Sequence, residues 1–272
     1  MRHHAFRILG PFHVPGLRVE RRIRVYVPPE YSRRDAHPAL YLFDGQNLFD
    51  DASSFAGAWR LHEVIDRMAK RKKRLPVLIG IDHGHVERIA ELSPWSHGAH
   101  GGHADFLVDW IADTLRAKLI AEFGLDASPA ATMIGGSSMG GLGAFYAHFR
   151  RPDVFGGAMC MSPSFWVAGA RVFDWYASQP MPMLSRVYLD CGAREAGGRM
   201  LQMTERMARM LAARGYGTDR LLFRADPRGN HNERAWNRRS SRALRFLFPA
   251  PKRRRTGRRA LSMHPMAEPD IW

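Results

Sequence analysis

Ser138 stands in Gly136-Ser137-Ser138-Met139-Gly140, a serine with a glycine two positions away on either side. A serine hydroxyl is a poor nucleophile until it is held clear of the backbone, beside a base and facing hydrogen-bond donors for an oxyanion. A sharp turn from strand to helix does this, and the flanking glycines let two backbones approach closely. The run before the motif, 131–134, is apolar, and the run after it, 141–150, has helical patterning. The motif therefore reads as a nucleophile elbow. Ser138 is the expected nucleophile, and the backbone N–H of Met139, at the helix start, is an expected oxyanion donor.

Such a serine needs a base and a group to orient the base, and open α/β sheets place such groups in loops beyond the C-terminal ends of their strands. After the predicted strand 187–191 comes Gly192-Ala193-Arg194-Glu195, which offers Glu195 as the acid. Asp190 is its rival, although a residue within a strand suits a structural hydrogen bond better. After the predicted strand 221–225 comes Asp226-Pro227-Arg228-Gly229-Asn230-His231. His231, in a glycine-containing loop before the last helix, is the best-placed general base of the thirteen histidines. Serine, acid, histidine is the chain order that accompanies this type of elbow. The second oxyanion N–H is expected from the loop after an early strand. There 40–43 runs into Asp44-Gly45-Gln46-Asn47, which makes Gln46 the donor and Asp44 a group that fixes the loop.

The elements that must position these residues follow from the hydrophobic pattern. Residues 22–27 alternate, and 40–43, Val77–Ile81, 131–134, Gly157–Met161, 187–191 and 221–225 are short apolar runs bounded by glycine, proline or charge. They read as buried strands. Between them 57–73, 105–123 and 200–214 carry apolar stripes at helical spacing, for example Leu107, Trp110, Ile111, Leu115 and Leu119. The alternation predicts an α/β fold with a mostly parallel central sheet and helices on both faces.

A chain of 272 residues with 45% hydrophobic content can bury one large core. Residues 1–249 are expected to form one domain, followed by a basic tail, 250–272. The formal net charge is +15, of which six basic and two acidic residues place +4 in the tail. Arginines on helices, such as Arg199, Arg206, Arg209 and Arg214, read as a solvated face, and no nucleic-acid-binding signature is present. Nucleic acid is therefore not the expected partner. No apolar run approaches the roughly 18 residues of a membrane span, residues 1–10 do not read as a signal peptide, and Cys160 and Cys191 read as reduced core thiols. A cytoplasmic protein is expected. His83, His85, His97, His100 and His103 crowd one glycine-rich stretch, but neither cysteine nor a carboxylate pair falls at ligand spacing, so a loop over the site is favoured over a metal centre. No metal or organic cofactor is expected. Trp95 and Trp166 are candidate aromatic walls of a substrate pocket, with Phe165 equally suited to the core.

The chain resembles the esterase D-like esterases of the α/β-hydrolase superfamily, the group that includes enterochelin esterase relatives and feruloyl esterases. The resemblance runs from about 25 to 248. It rests on Tyr41-Leu42-Phe43-Asp44-Gly45-Gln46-Asn47-Leu48-Phe49, Gly80-Ile81-Asp82, Arg88 through Glu91 to Ser93-Pro94-Trp95, and Gly135-Gly136-Ser137-Ser138-Met139-Gly140-Gly141. It continues through Pro152-Asp153-Val154-Phe155, Ser162-Pro163-Ser164-Phe165-Trp166, and Gly229-Asn230-His231-Asn232-Glu233 with Trp236. The resemblance implies an α/β-hydrolase fold and serine-dependent hydrolysis of a small-molecule ester, with Ser138 as nucleophile, His231 as base, Glu195 as orienting acid, and Gln46 and Met139 as oxyanion donors. The chain departs from the family pattern at His83-Gly84-His85, where relatives usually carry Asn and Gly, and at Glu195, where relatives often carry Asp. Alternatives are acyl transfer to an alcohol or sugar acceptor, as in mycolyltransferases of the same fold, and a non-catalytic scaffold that docks through its basic tail.

Overall fold

In the computed structural model, which describes residues 6–54, 57–70, 74–98 and 100–249, the chain alternates strand and helix along most of its length. It opens with β1 (Arg7–Phe12), β2 (Arg21–Tyr26) and β3 (Ala39–Phe43), then α1 (Leu61–Ala69), β4 (Val77–Ile81) and α2 (Arg88–Leu92). A small hairpin, β5 (Ser96–His97) and β6 (His100–Gly101), precedes α3 (Ala104–Trp110), a π turn (Ile111–Leu115) and α4 (Arg116–Phe123). Next come β7 (Thr132–Ser137), α5 (Met139–Arg150), β8 (Gly157–Met161), α6 (Val167–Ala170) and α7 (Val172–Ser178). The last units are β9 (Arg186–Gly192), α8 (Arg199–Ala213), β10 (Leu221–Asp226) and α9 (Glu233–Leu247).

Eight strands form one sheet in the order β1-β2-β4-β3-β7-β8-β9-β10. From β4 to β10 every neighbouring pair is parallel, whereas β1 and β2 run antiparallel. The parallel strands from β4 to β9 in this order are buried on both faces, and each face has its own core. One core packs Ile134, Ala158 and Leu189 against Leu107, Ile111, Phe145, Phe173 and Leu211. The other packs Leu40, Leu78 and Met159 against Val64, Ile65, Trp236 and Leu244. Helices therefore cover both faces, and the fold is that of the α/β hydrolases.

Several details differ from the sequence expectation. β1 was not expected; its residues are mostly exposed and it lies at the sheet's edge, so it lacks the apolar signature of a buried strand. β7 extends through Gly135 and Gly136 to Ser137, although glycines read as a strand end. They are accommodated because α5 and β8 close against them: a Cβ on Gly136 would lie 2.6 Å from the Gly140 carbonyl carbon. β10 was expected to be buried, but it is the opposite edge strand and is half exposed. Arg206 and Arg214 do more than face water, since their guanidinium groups sit over the rings of Phe173 and Tyr176 at 4.0 and 4.9 Å. Among the described residues no helix is long and apolar enough to cross a membrane. Cys160 and Cys191 are buried and free. The basic tail, 250–272, lies outside the described residues.

Candidate active site

Because the strands from β4 to β10 share one direction, the loops after β3, β4, β7, β8, β9 and β10 all emerge at the same edge of the sheet. Ser138 stands at the end of β7 as the residue preceding α5, with φ 58° and ψ −121°. A non-glycine residue there is strained, by about 1–3 kcal/mol, and four backbone bonds hold it. The Ser138 N–H donates to the Met161 carbonyl at 2.9 Å, and its own carbonyl accepts from the N–H groups of Gly141 and Leu142 at 3.1 Å and of Ser164 at 3.0 Å. The first turn of α5 thus uses the donors of Gly141 and Leu142, not that of Met139. The Ser138 Oγ lies 3.3 Å from the Ser164 Oγ.

His231 and Glu195 meet directly, with the ring Nδ1 2.8 Å from Glu195 Oε2. An ionised carboxylate can only accept, so Nδ1 carries the proton and donates it, leaving the Nε2 lone pair free. Among the described residues no hydrogen bond joins His231 to Ser138, so the structure brings the acid and the histidine together and leaves the serine hydroxyl on Ser164. The His231 ring is braced edge-on against the Trp236 indole at 5.1 Å. Glu195 is buried, and its Oε1 accepts from the Gly192 N–H and the Ser162 hydroxyl, both at 2.8 Å. Burial pushes its pKa up, but the hydrogen bonds from His231, Ser162 and Gly192 outweigh burial, and the carboxyl sits below its ordinary value. Ser162 also accepts from Trp236 Nε1 at 3.0 Å and from Arg239 Nη2 at 2.9 Å.

Asp190 takes another place. Its Oδ2 accepts from the Tyr188 hydroxyl at 2.9 Å and from Arg239 Nε at 3.0 Å. Among the described residues no hydrogen bond or ion pair joins it to His231. Burial raises its pKa to about 6 against the pull of Arg239.

The loop after β3 is locked from several sides. Asp44, in the left-handed region at φ 59°, forms a two-pronged ion pair with Arg88 at 2.6 and 2.8 Å. Gly45 passes so close to β4 that a Cβ there would lie 2.7 Å from the Gly80 carbonyl carbon. The Gln46 carbonyl accepts from Ser53 Oγ at 2.8 Å, and its side-chain Oε1 accepts from the His83 N–H at 3.0 Å. The turn's own bonds are donated by Asn47 and Leu48, not by Gln46. Burial holds the His83 pKa below its ordinary value. His85 donates its N–H to His83 Nδ1 at 2.9 Å, and among the described residues no group of three His, Cys, Asp or Glu side chains is arranged to hold a metal.

The two tryptophans part company. Trp166, two residues past Ser164, is half exposed. Trp95 packs edge-on against Tyr146 and Trp175 at 5.9 Å, so core packing accounts for its position. Phe165 is fully buried. The sequence reading gave no role to Ser162, Ser164 and Arg239. The two serines had a signal: Ser162-Pro163-Ser164 follows the strand next to the elbow strand, and parallel order brings that loop beside Ser138. Arg239 had none, because an arginine in an amphipathic helix reads as solvated.

Comparison with known proteins gives the following. Residues 15–247 match the model of the Esterase family, described as "Putative esterase". A Bacillus subtilis protein, YbbA, described as uncharacterized, is 25% identical over 244 residues, covering 84% of this chain and 92% of its own. Among solved structures, the BES protein from Bacillus cereus is similar with a TM-score of 0.72 at 18% identity, over 91% of this chain and 95% of that one. The enterochelin esterase of Shigella flexneri gives 0.71 at 20% identity, over 90% and 58%. The siderophore hydrolase EstB of Aspergillus nidulans gives 0.69 at 19%, over 91% and 97%.

Proposed function

The chain belongs to the Esterase family and is a carboxylic-ester hydrolase, and from that premise we propose that it works through an acyl-enzyme on Ser138. The observation that carries this reading is the His231–Glu195 pair, held in the loops after β10 and β9 at the edge where the strained elbow after β7 presents Ser138. In this reading His231 Nε2 removes the Ser138 proton as Oγ attacks the acyl carbon. Glu195 fixes the tautomer and stabilises the imidazolium that forms. The N–H groups of Gln46 and Met139, neither used by its own turn, receive the oxyanion. Protonated His231 passes its proton to the leaving alcohol, and water, activated by the same nitrogen, releases the acid. In this reading the Ser138 hydroxyl exchanges Ser164 for His231 Nε2 as its partner. No step calls on a metal or an organic cofactor.

Trp166, half exposed beside the Ser164 loop, is the aromatic wall we assign to the substrate, whereas Trp95 is held by its packing against Tyr146 and Trp175. The enterochelin esterase and siderophore hydrolase among the similar structures, together with a ferulic acid esterase, make siderophore and feruloyl esters the first natural candidates. The free, buried thiols of Cys160 and Cys191 suit the reducing cytoplasm.

Ser138→Ala is expected to lower hydrolysis of short p-nitrophenyl esters by at least about 10³-fold with an unchanged circular dichroism spectrum. Activity within a few-fold of the parent in the folded variant would remove Ser138 from the mechanism.

A further inference from the structure

A cleft of about 280 Å³ lies between β10 and α9, lined by five arginines, Arg224, Arg238, Arg239, Arg242 and Arg245, against one acid, Asp226. Arg238 and Arg242 are one helical turn apart, and Arg242 and Arg245 nearly so, which places like charges on one face of α9, where they repel. Of the five, only Arg239 has carboxylates beside it among the described residues, Asp190, Glu195 and Asp226. Among the described residues Arg224, Arg238 and Arg242 form no ion pair, and Arg245 donates only to the Ser241 hydroxyl.

Arg239 supplies a second, independent sign. It is nine-tenths buried, and while its Nε and Nη2 are engaged, its Nη1 has no hydrogen-bond partner. Asp226 Oδ2 stands 3.5 Å away, outside good geometry. A buried guanidinium N–H without an acceptor is costly, and the residue that carries it lines the cleft. Guanidinium forks fit the oxygens of phosphate, several of them around one dianion. The volume falls just short of the roughly 300 Å³ at which pockets for drug-sized organic ligands begin.

We propose that this cleft is a binding site for a small phosphate-bearing dianion, such as inorganic phosphate, pyrophosphate or a phosphate monoester, held by Arg239 and Arg242 with Arg224, Arg238 and Arg245 around them. The site shares a wall with the loop that carries His231. Gly229 lies so close that a Cβ on it would stand 2.6 Å from Arg239 Nη1, and the same guanidinium holds Ser162 and Asp190 and lies 3.7 Å from Glu195 Oε1. A bound dianion therefore ties the 226–231 loop to α9. The binding claim does not depend on Ser138 being the nucleophile.

Calorimetric titration of the full chain with pyrophosphate, at ionic strength held constant with sodium chloride, tests it. The parent protein should show saturable binding at one site, and Arg242→Gln with Arg245→Gln should weaken it at least tenfold. Both side chains are exposed and outside the ester site, so ester hydrolysis without pyrophosphate should be unchanged in that variant. Should the double variant fold poorly, Arg224→Gln on β10 serves the same comparison. No saturable binding by the parent, or equal affinity in the folded variants, would overturn the proposal. A short DNA duplex that binds more tightly than pyrophosphate, and loses that binding in the same variants, would overturn the small-anion assignment in favour of a nucleic-acid face.

Discussion

Asp190 and Glu195 are both buried and both within reach of Arg239, yet different partners hold them. Glu195 accepts from His231, Ser162 and a backbone N–H, so its charge is stabilised where the imidazolium would form. Asp190 faces Tyr188 and Arg239 and serves to anchor α9 to β9. Glu195→Gln is therefore expected to lower kcat on p-nitrophenyl acetate by about 10³–10⁴-fold, the scale seen when a base loses its orienting acid, with an unchanged circular dichroism spectrum. Asp190→Ala removes the acceptor of the Tyr188 hydroxyl and of the buried Arg239 Nε and should cost about 3 kcal/mol in urea denaturation, while the folded fraction keeps kcat within tenfold. The opposite pattern would give the orienting role to Asp190. At this scale chemistry and chain order single out Ser138 and His231 as candidates, and the structure sets His231 against Glu195 and Ser138 against Ser164. The sequence left Glu195 and Asp190 open, because spacing along a strand and its loop does not say which side chain turns toward the histidine.

Elements were legible where a stripe or an apolar run marks burial on a known face. The helix expected over 105–123 begins one residue earlier and continues unbroken through its π turn, and its five stripe residues are all buried. The edge strand β1 was not legible, because it buries too little to leave a pattern, and the edge strand β10 was legible as a strand but not as an edge. A buried polar connection between elements was also hidden. His148, near the C-terminal end of α5, donates from Nδ1 to the Phe155 carbonyl at 2.8 Å. Its Nε2 accepts from Ser185 Oγ at 2.6 Å, and that hydroxyl accepts in turn from Tyr216 at 2.7 Å. Complete burial, opposed by the bond to Phe155, lowers its pKa from 6.5 to about 4. The folded state thus binds a proton less readily than the unfolded one. The stability this confers is full above pH 6.5 and is lost as pH falls toward 4. Between pH 8 and pH 5 the loss from this one group should be about 2 kcal/mol. Urea denaturation of the parent and of His148→Gln at the two pH values checks it. An equal drop in both would assign the acid sensitivity to other groups.

At the scale of the molecule, the parallel sheet and its two cores follow from the alternation of apolar runs and amphipathic helices, and the shared direction of the strands gathers the site at one edge. What the alternation could not supply is the lateral order of the strands. That order places the elbow strand near the middle of the sheet, flanked by β3 and β8, and gives the histidine to β10, the last strand. Five arginines around the cleft next to β10 also concentrate positive charge there, which the summed net charge of +15 does not reveal.

The position of β10 bears on how the protein fails when it is warmed. A strand with one neighbour and a half-exposed surface opens at lower free energy than one sealed on both sides. The loop bearing His231 would then depart while the elbow and both cores are still intact. Ester hydrolysis should therefore fall a few degrees below the midpoint of the far-ultraviolet dichroism transition, and it should return on cooling from that interval. Coincident curves for activity and dichroism would mean that β10 melts with the rest of the sheet.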